Sequence, residues 1–403
     1  MIGLGVPTLS RLILTGAVVL TAFGVTSLAS ANDHEDDGDR PAVHFIGRWE
    51  FGGRDGPRAN WSSSGLAADF VGTQTSITLG IFETDVMYFM VVVDGGAPTR
   101  FAGTNGRASY TLATGLPYGK HSVQVTAETE GQFGTVQFFG FDFGNGWLLP
   151  PPHPKLRMEV IGDSISCGYG NIGTSTVEDA DNDYSAPVCS FSTATESAYM
   201  AYSSVLARMF GAEVSNVCWS GRGVYEDDNG DIDSPQFPQL PTVYRDALAA
   251  DGTNGVTLHE SPYPSAHTTS APNDIVLVNL GTNDIAATGN LPPRGPLRSA
   301  YLNLLDEIRA NNPDAQIFLT IGPLTSDPQL TDFRNFLDDV IRAARDPRIY
   351  RVDMDVQDVS LGVGCDWHPT WIEDDRMATQ LAGQMQAILG IPASSSDPNP
   401  YTP

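Results

Sequence analysis

The chain has 403 residues, 41% of them hydrophobic and 17% charged, with a formal net charge of −26. That length suggests two or three domains, and the apolar content is enough for real cores, which excludes a chain disordered in bulk. Lys120 and Lys155 are the only lysines and arginine supplies the remaining positive charge, so the acidic surface disfavours nucleic acid and anionic membranes as partners.

Residues 1–31 read as a signal peptide. Arg11 is the only charge there, an apolar stretch runs from about Leu12 to Val25, and Ala29-Ser30-Ala31 offers a small-residue cleavage site. The apolar stretch is short for a bilayer span. The expectation is a secreted chain, extracellular or periplasmic, with no membrane partner once processed. Residues 32–40 (NDHEDDGDR) form an acidic linker. From 41 to 150, short runs such as Thr75–Leu79, Met87–Val93 and Ser122–Thr126 are broken by glycine-rich turns without helical periodicity. This predicts an all-β sandwich. Its Trp49 and Trp61 leave open whether the domain binds glycans or buttresses its neighbour. Pro150-Pro151-Pro152-His153-Pro154 is a stiff linker.

Over 155–392 the pattern changes. Apolar runs at Met158–Ile161, Val214–Val217, Asp274–Leu280, Gln316–Ile321 and Ile349–Val352 alternate with amphipathic segments. A first helix is expected from about Glu196 to Phe210, with Gly211 as its stop. A second carries Leu297, Tyr301, Leu304, Leu305 and Ile308. A third carries Phe333, Phe336, Leu337, Val340 and Ile341, and the last starts at Asp375. Strands alternating with helices predict a three-layer α/β domain with a parallel sheet covered on both faces. Residues 393–403 are a polar, proline-rich tail. Cys167, Cys189, Cys218 and Cys365 permit disulfides in an exported protein, with three pairings open, or buried free thiols.

Ligands of open parallel sheets sit beyond the carboxyl ends of the strands. The loops expected there are Gly162-Asp163-Ser164, then Cys218 to Gly223 (CWSGRG), Gly281-Thr282-Asn283-Asp284, and Cys365-Asp366-Trp367-His368-Pro369. Gly168-x-Gly170-x-x-Gly173 has dinucleotide spacing, but six residues, Gly162 to Cys167, separate it from the strand. Asp179, Asp181 and Asp183 would also repel phosphate, so a nucleotide is disfavoured. That acidic run and Asp227-x-Asn229-x-Asp231 lack the glycine and terminal glutamate of a calcium loop and read as solvated.

A serine hydroxyl needs a base within hydrogen-bond reach. Ser164 is the candidate nucleophile and His368 the base; the other histidines fall in or near the acidic linker (His34, His44), in the sandwich (His121), the proline linker (His153) or a loop-like insertion (His259, His267). The oxyanion formed on attack needs prepositioned donors, each worth about 3–4 kcal/mol. The Ser164 N–H, the Gly221 N–H and the Asn283 amide are the expected three. There is no G-x-S-x-G elbow, which disfavours the α/β-hydrolase arrangement.

At these residues the chain resembles the SGNH (GDSL-like) hydrolases, whose four name-giving residues map onto Ser164, Gly221, Asn283 and His368. The strings GDSISCGYGN, CWSGRGV, LGTND and CDWHP look like carbohydrate esterase family two. The resemblance implies an N-terminal jelly-roll sandwich joined to a flavodoxin-like SGNH domain that removes acetyl groups from plant polysaccharides, xylan or related hemicellulose, through an acetyl-enzyme. The wider superfamily places its orienting aspartate three residues before the histidine, where this chain has Cys365. Asp366 lies two before and is expected as the third triad member, although some members of the resembled family use a backbone carbonyl instead. Trp367 is expected to contact the sugar, as the tryptophan of Asp-Trp-His does in that family. No metal or organic cofactor is required, and a monomer is expected. The alternatives are a general GDSL-type lipase or acylhydrolase and a glycan-binding protein with vestigial esterase activity.

Overall fold

The computed structural model describes residues 42–52, 56–173, 175, 188–232, 238–248, 262–266, 268–269 and 271–403. The expected signal peptide, the acidic linker, the Asp179–Asp183 run, His259 and His267 lie outside them.

The first half folds as eight strands: β1 His44–Ile46, β2 Arg58–Ala59, β3 Gly65–Gly72, β4 Thr75–Val93, β5 Thr99–Ala113, β6 Gly119–Ala127, β7 Thr135–Asp142 and β8 Trp147–Leu148. All pairings are antiparallel. Hydrogen bonding joins the strands of this all-β domain into one sheet, in the order β1-β3-β6-β4-β7-β2 with β5 on β4 and β8 on β3. The cause is the length of β4. Its first part, Ser76–Phe82, pairs β7; its last part, Phe89–Val93, pairs β6; a register shift between Ile81 and Val86 separates the two. Such irregularities bend a strand and let it serve two layers. Alternate residues of both parts, Ile77, Leu79, Ile81 and Met87, Phe89, Val91, point into one core with Leu66, Phe70, Val123, Val125 and Phe138. Asp94 and Gly95, at φ 54° and 63°, make the tight turn out of β4. The Gly96 N–H closes it on the Val93 carbonyl at 2.9 Å.

The second half contains β9 Arg157–Gly162, β10 Glu213–Cys218, β11 Ile275–Asn279, β12 Gln316–Thr320 and β13 Ile349–Arg351. They pair in parallel in the order β10-β9-β11-β12-β13. That is the 2-1-3-4-5 order of flavodoxin-like sheets, with the switch point between β9 and β11. The helices are α1 Ser164–Cys167, α2 Tyr202–Phe210, α3 Leu240–Val243, α4 Thr282–Ala286, α5 Arg294–Asn311, α6 Gln329–Ala344 and α7 Trp371–Leu389. Period-two alternation divides the strand residues between two cores. Val276, Val278, Ile317 and Leu319 meet Leu297, Leu304, Phe333 and Phe336 of α5 and α6. Ile275, Leu277 and Phe318 meet Tyr202, Leu206, Met377 and Leu381 of α2 and α7. Each such side chain contributes roughly 1.5–3 kcal/mol by burial.

Two helix starts differ from expectation. Helix α2 begins at Tyr202 because the N–H groups before it are taken from outside. Ser197 N donates to Asn171 Oδ1 at 3.0 Å, Ala198 N to the Glu128 carbonyl at 3.1 Å and Tyr199 N to Glu128 Oε1 at 3.2 Å. Helix α7 starts four residues early, at Trp371, because the Thr370 hydroxyl caps it by accepting from Glu373 N. The cysteines pair as Cys167–Cys218 and Cys189–Cys365, leaving no free cysteine among the described residues.

The domains share buried polar contacts. Arg48 reaches across to Glu159 of β9, Nη2 to Oε1 at 2.9 Å, and donates to the carbonyls of Tyr244 and Asp246. The Tyr244 hydroxyl donates to the other Glu159 oxygen at 3.0 Å. Trp49 is buried in the sandwich core and Trp61 sits edge-on to Trp219 of the second domain at 6.4 Å, so neither is a surface platform.

Candidate active site

The loops at the carboxyl edge of the parallel sheet meet above β9. There the chain turns at Gly162, where any Cβ would lie 2.0 Å from Ser166 Oγ. Asp163 then caps α1, its Oδ1 accepting from Ile165 N at 3.0 Å. The cap puts Ser164 at the first position of the helix with its N–H directed outward, and no partner for that N–H appears among the described residues.

His368 Nε2 lies 2.8 Å from Ser164 Oγ, and Nδ1 lies 3.1 Å from the backbone carbonyl of Asp366. A carbonyl only accepts, so Nδ1 carries the proton and Nε2 is left with the lone pair that faces the serine hydroxyl. Burial pushes the imidazole down to about 4, against the pull of the Asp366 carbonyl and carboxylate, so the ring is neutral at ordinary pH.

The expected carboxylate of the triad is turned elsewhere. Asp366 Oδ2 accepts from the Tyr169 hydroxyl at 2.9 Å and from Phe191 N at 3.0 Å. Asp366 and Trp367 both take left-handed φ, 49° and 65°, which swings the Asp366 carbonyl under the ring. Such residues cost of order 1–3 kcal/mol each and persist only where neighbours hold them. The neighbours here are Asp366 N on the Cys189 carbonyl at 2.9 Å, the Cys189–Cys365 disulfide, and Gln357 Nε2 on the Trp367 carbonyl at 3.1 Å. Trp367 itself is half-buried beside His368.

The glycine triplet finds its use here. A Cβ on Gly170 would lie 2.7 Å from Cys365 Cβ, and one on Gly173 2.4 Å from Cys365 Sγ. The residues that carry nucleotide-like spacing are small so that the histidine turn can approach. Between them and Ser164, Tyr169 packs its ring on His368 at 4.2 Å and on Phe191 at 4.1 Å, and Phe191 stacks on Phe133 of the first domain at 5.0 Å. Tyr169 lies within the GDSISCGYGN string, whereas Phe191 and Phe133 belong to no motif and their role depends on contacts at long separation.

Gly221 follows β10 with φ 76°, and its N–H likewise has no partner among the described residues. Its loop is pinned by buried Asp284, whose carboxylate accepts from Val224 N, Tyr225 N and Glu226 N at 2.8, 2.7 and 3.1 Å. Asn283, beside it, sends its amide to the Arg222 carbonyl at 3.0 Å and to Asp163 Oδ2 at 3.3 Å. The amide is thus aimed between the β10 and β9 loops. Burial raises Asp163 to about 7 and Asp284 to about 6. The Cys167–Cys218 bond ties α1, which carries Ser164, to the end of β10. Asp227 Oδ1 accepts from Asn229 N and Asp231 N, both at 2.9 Å, so that acidic loop is closed on its own backbone.

A buried serine under a neutral imidazole, at the switch point of a 2-1-3-4-5 sheet, is the arrangement of a serine hydrolase. The family model for the carbohydrate esterase 2 N-terminal domain matches residues 45–152, and that for the GDSL-like lipase/acylhydrolase family matches residues 160–381. Cellulase/esterase CelE of Acetivibrio thermocellus is 33% identical over 362 residues, 88% of this chain and 40% of that protein, so the chain spans about two-fifths of that relative. An acetylxylan esterase/glucomannan deacetylase of Cellvibrio japonicus is 23% identical over 380 residues, 94% of this chain and 98% of the relative. The structure of a family two carbohydrate esterase from Clostridium thermocellum in complex with cellohexaose matches with TM-score 0.73 and 31% identity, covering 87% of this chain and 99% of that one. The chain belongs to the family two carbohydrate esterases, and so to the carboxylic ester hydrolases.

Proposed function

We propose that the chain is an exported, monomeric esterase that removes O-acetyl groups from plant polysaccharides, xylan or a related hemicellulose. The observation that carries this reading is the 2.8 Å contact between Ser164 Oγ and His368 Nε2, with the Asp366 carbonyl on the opposite ring nitrogen. Ser164 Oγ attacks the acetyl carbonyl carbon while its proton passes to His368 Nε2. The Ser164 N–H and the Gly221 N–H stabilise the oxyanion, joined by the Asn283 amide as it gives up its longer, 3.3 Å bond to Asp163 Oδ2. When it collapses, His368 protonates the departing sugar oxygen and an acetyl-enzyme remains. Water, deprotonated by the same imidazole, then releases acetate and restores the serine.

Trp367, half-buried and next to the base, is the aromatic face for the sugar ring. The sugar-ester reading draws support from the names of the relatives, an acetylxylan esterase/glucomannan deacetylase and an esterase seen with cellohexaose. Acetate release from acetylated xylan and glucomannan oligosaccharides by wild type and Ser164→Ala, with NMR of the acetyl positions left, tests the proposal. A preference for long-chain esters over acetate would overturn it.

A further inference from the structure

Three fully buried glutamates meet where the two domains join: Glu128 and Glu130, which follow β6, and Glu196 of the second domain. Glu130 is the one that touches the active-site loops. Its Oε2 accepts from Ser220 N at 2.7 Å and its Oε1 from the Ser220 hydroxyl. Both polar donors of Ser220 therefore end on one carboxylate from the other domain, and Ser220 is the residue before Gly221.

Two further contacts come from the same turn. Gln132 accepts from Trp219 Nε1 at 2.9 Å and donates to Glu130 Oε2 at 3.2 Å. Phe133 ends the aromatic stack that runs through Phe191 and Tyr169 to His368. Glu130–Phe133 is thus applied to the oxyanion loop on one side and, at three rings' remove, to the base on the other.

A carboxylate is an expensive way to dock two domains, since burial penalises its charge. Here Glu196, beside Glu130, is raised well above the usual range by burial and by Glu130 itself. Glu130 is raised by burial too, but the two Ser220 donors, Glu196 and the positive charge of Arg222 all favour its ionised form. A pair of bonds from one carboxylate to one residue fixes orientation as well as distance. The peptide plane whose carbonyl belongs to Ser220 carries the Gly221 N–H, so fixing Ser220 fixes where that N–H points.

We infer that Glu130 of the N-terminal domain is a positioning residue for the reaction, holding Ser220 so that the Gly221 N–H faces the oxyanion. The inference rests on Gly221 and Asn283 being oxyanion donors, as proposed above. The β-domain is then part of the catalytic apparatus of this chain, beyond any part it plays in meeting glycans.

The test is steady-state kinetics on a soluble acetyl ester, with thermal unfolding to show that each variant is folded at the assay temperature. Glu130→Ala is expected to lower kcat by about 10–100-fold with KM within about twofold, less than the loss of a whole donor. Ser220→Ala, which removes only the hydroxyl, should lower kcat several-fold and covers the case in which Glu130→Ala does not fold. The double variant should be no slower than Glu130→Ala, because both act through one bond pair. Undiminished kcat in either folded single variant, or a change confined to KM, overturns the inference. Asn283→Ala separates the two levels. If it slows kcat while Glu130→Ala does not, the oxyanion reading stands and the positioning role falls. If Asn283→Ala leaves kcat intact, both fall.

Discussion

Asp366 meets His368 through its backbone carbonyl, 3.1 Å from Nδ1, while its carboxylate lies on Tyr169 and Phe191. The imidazole is oriented by main chain, and the side chain of Asp366 holds that main chain in place. Asp366→Asn keeps an acceptor for the Phe191 N–H and the Tyr169 hydroxyl. It should therefore retain kcat within about fivefold, against the roughly 10⁴-fold loss when a triad carboxylate is neutralised. Asp366→Ala removes the anchor and should cost more than the asparagine variant. Acetyl-ester kinetics on the two variants decide the matter, and a 10³-fold or larger loss in Asp366→Asn would count against main-chain orientation.

The Cys189–Cys365 disulfide carries the strained turn on its shoulder, since Asp366 follows Cys365 and hydrogen-bonds to the Cys189 carbonyl. Replacing both cysteines by serine should lower stability by about 2–4 kcal/mol. A carbonyl displaced by an ångström should also lower kcat, by up to about 100-fold. Denaturant unfolding reads the first effect and kinetics the second. Equal kcat in the double variant would show that the turn holds without the bond.

The acid limb of activity follows from His368. Its pKa is lowered to about 4 by burial, so the base form persists well below the usual histidine range. kcat/KM is expected to stay level on the acid side down to about pH 5 and to halve near pH 4, instead of near 6.5. For stability the sign is opposite to that of a histidine gaining a partner. Between about pH 6.5 and 4 the unfolded chain binds the proton and the folded chain does not, so this group favours unfolding progressively as pH falls. A pH–rate profile over pH 3.5–8 checks the first point.

Glu128 works the other way. Burial raises it to about 7, against donors from Ser197 and Tyr199, so the folded state favours its neutral form. Relative to an ordinary glutamate its neutral-state contribution is fully present below about pH 4.5 and is lost as pH rises through about 7. The shift corresponds to about 3 kcal/mol. Glu128→Gln should therefore gain stability relative to wild type as pH goes from 5 to 8. Thermal midpoints of both proteins at the two pH values measure it; parallel curves would mean that Glu128 does not titrate in this window.

Arg48 and Glu159 form a buried pair between the domains at 2.9 Å. Arg48→Ala leaves the Glu159 charge without its buried partner and should cost about 3–5 kcal/mol. Arg48→Ala with Glu159→Gln should recover part of that. Chemical denaturation of the three variants tests the order.

Much of this was legible before any coordinates. The run Ile275–Val278 is apolar on both faces, as a sheet covered on two sides accepts, and the loops after it and after Met158–Ile161 carry asparagine and serine. Helix α2 starts later than its sequence pattern suggests because the N–H groups before it go to Asn171 and Glu128, partners no local pattern announces. Residue type points to the Asp366 carboxylate, whereas the ring meets the Asp366 backbone carbonyl, whose direction follows from two positive φ angles. Glu130, Phe133 and Phe191 carry no motif at all.

Local chemistry along the chain thus determines which residues can react: a serine after a strand, a histidine near the last one, glycine and asparagine at the loops between. These depend on periodicity and residue type within a few positions, which sequence displays directly. Folding decides how they are aimed. The Asp366 carbonyl, the Ser220–Glu130 bonds and the aromatic stack onto His368 join residues 90 or more positions apart or turn on backbone angles. Such geometry emerges when distant segments pack, because each contact is set by the joint positions of both.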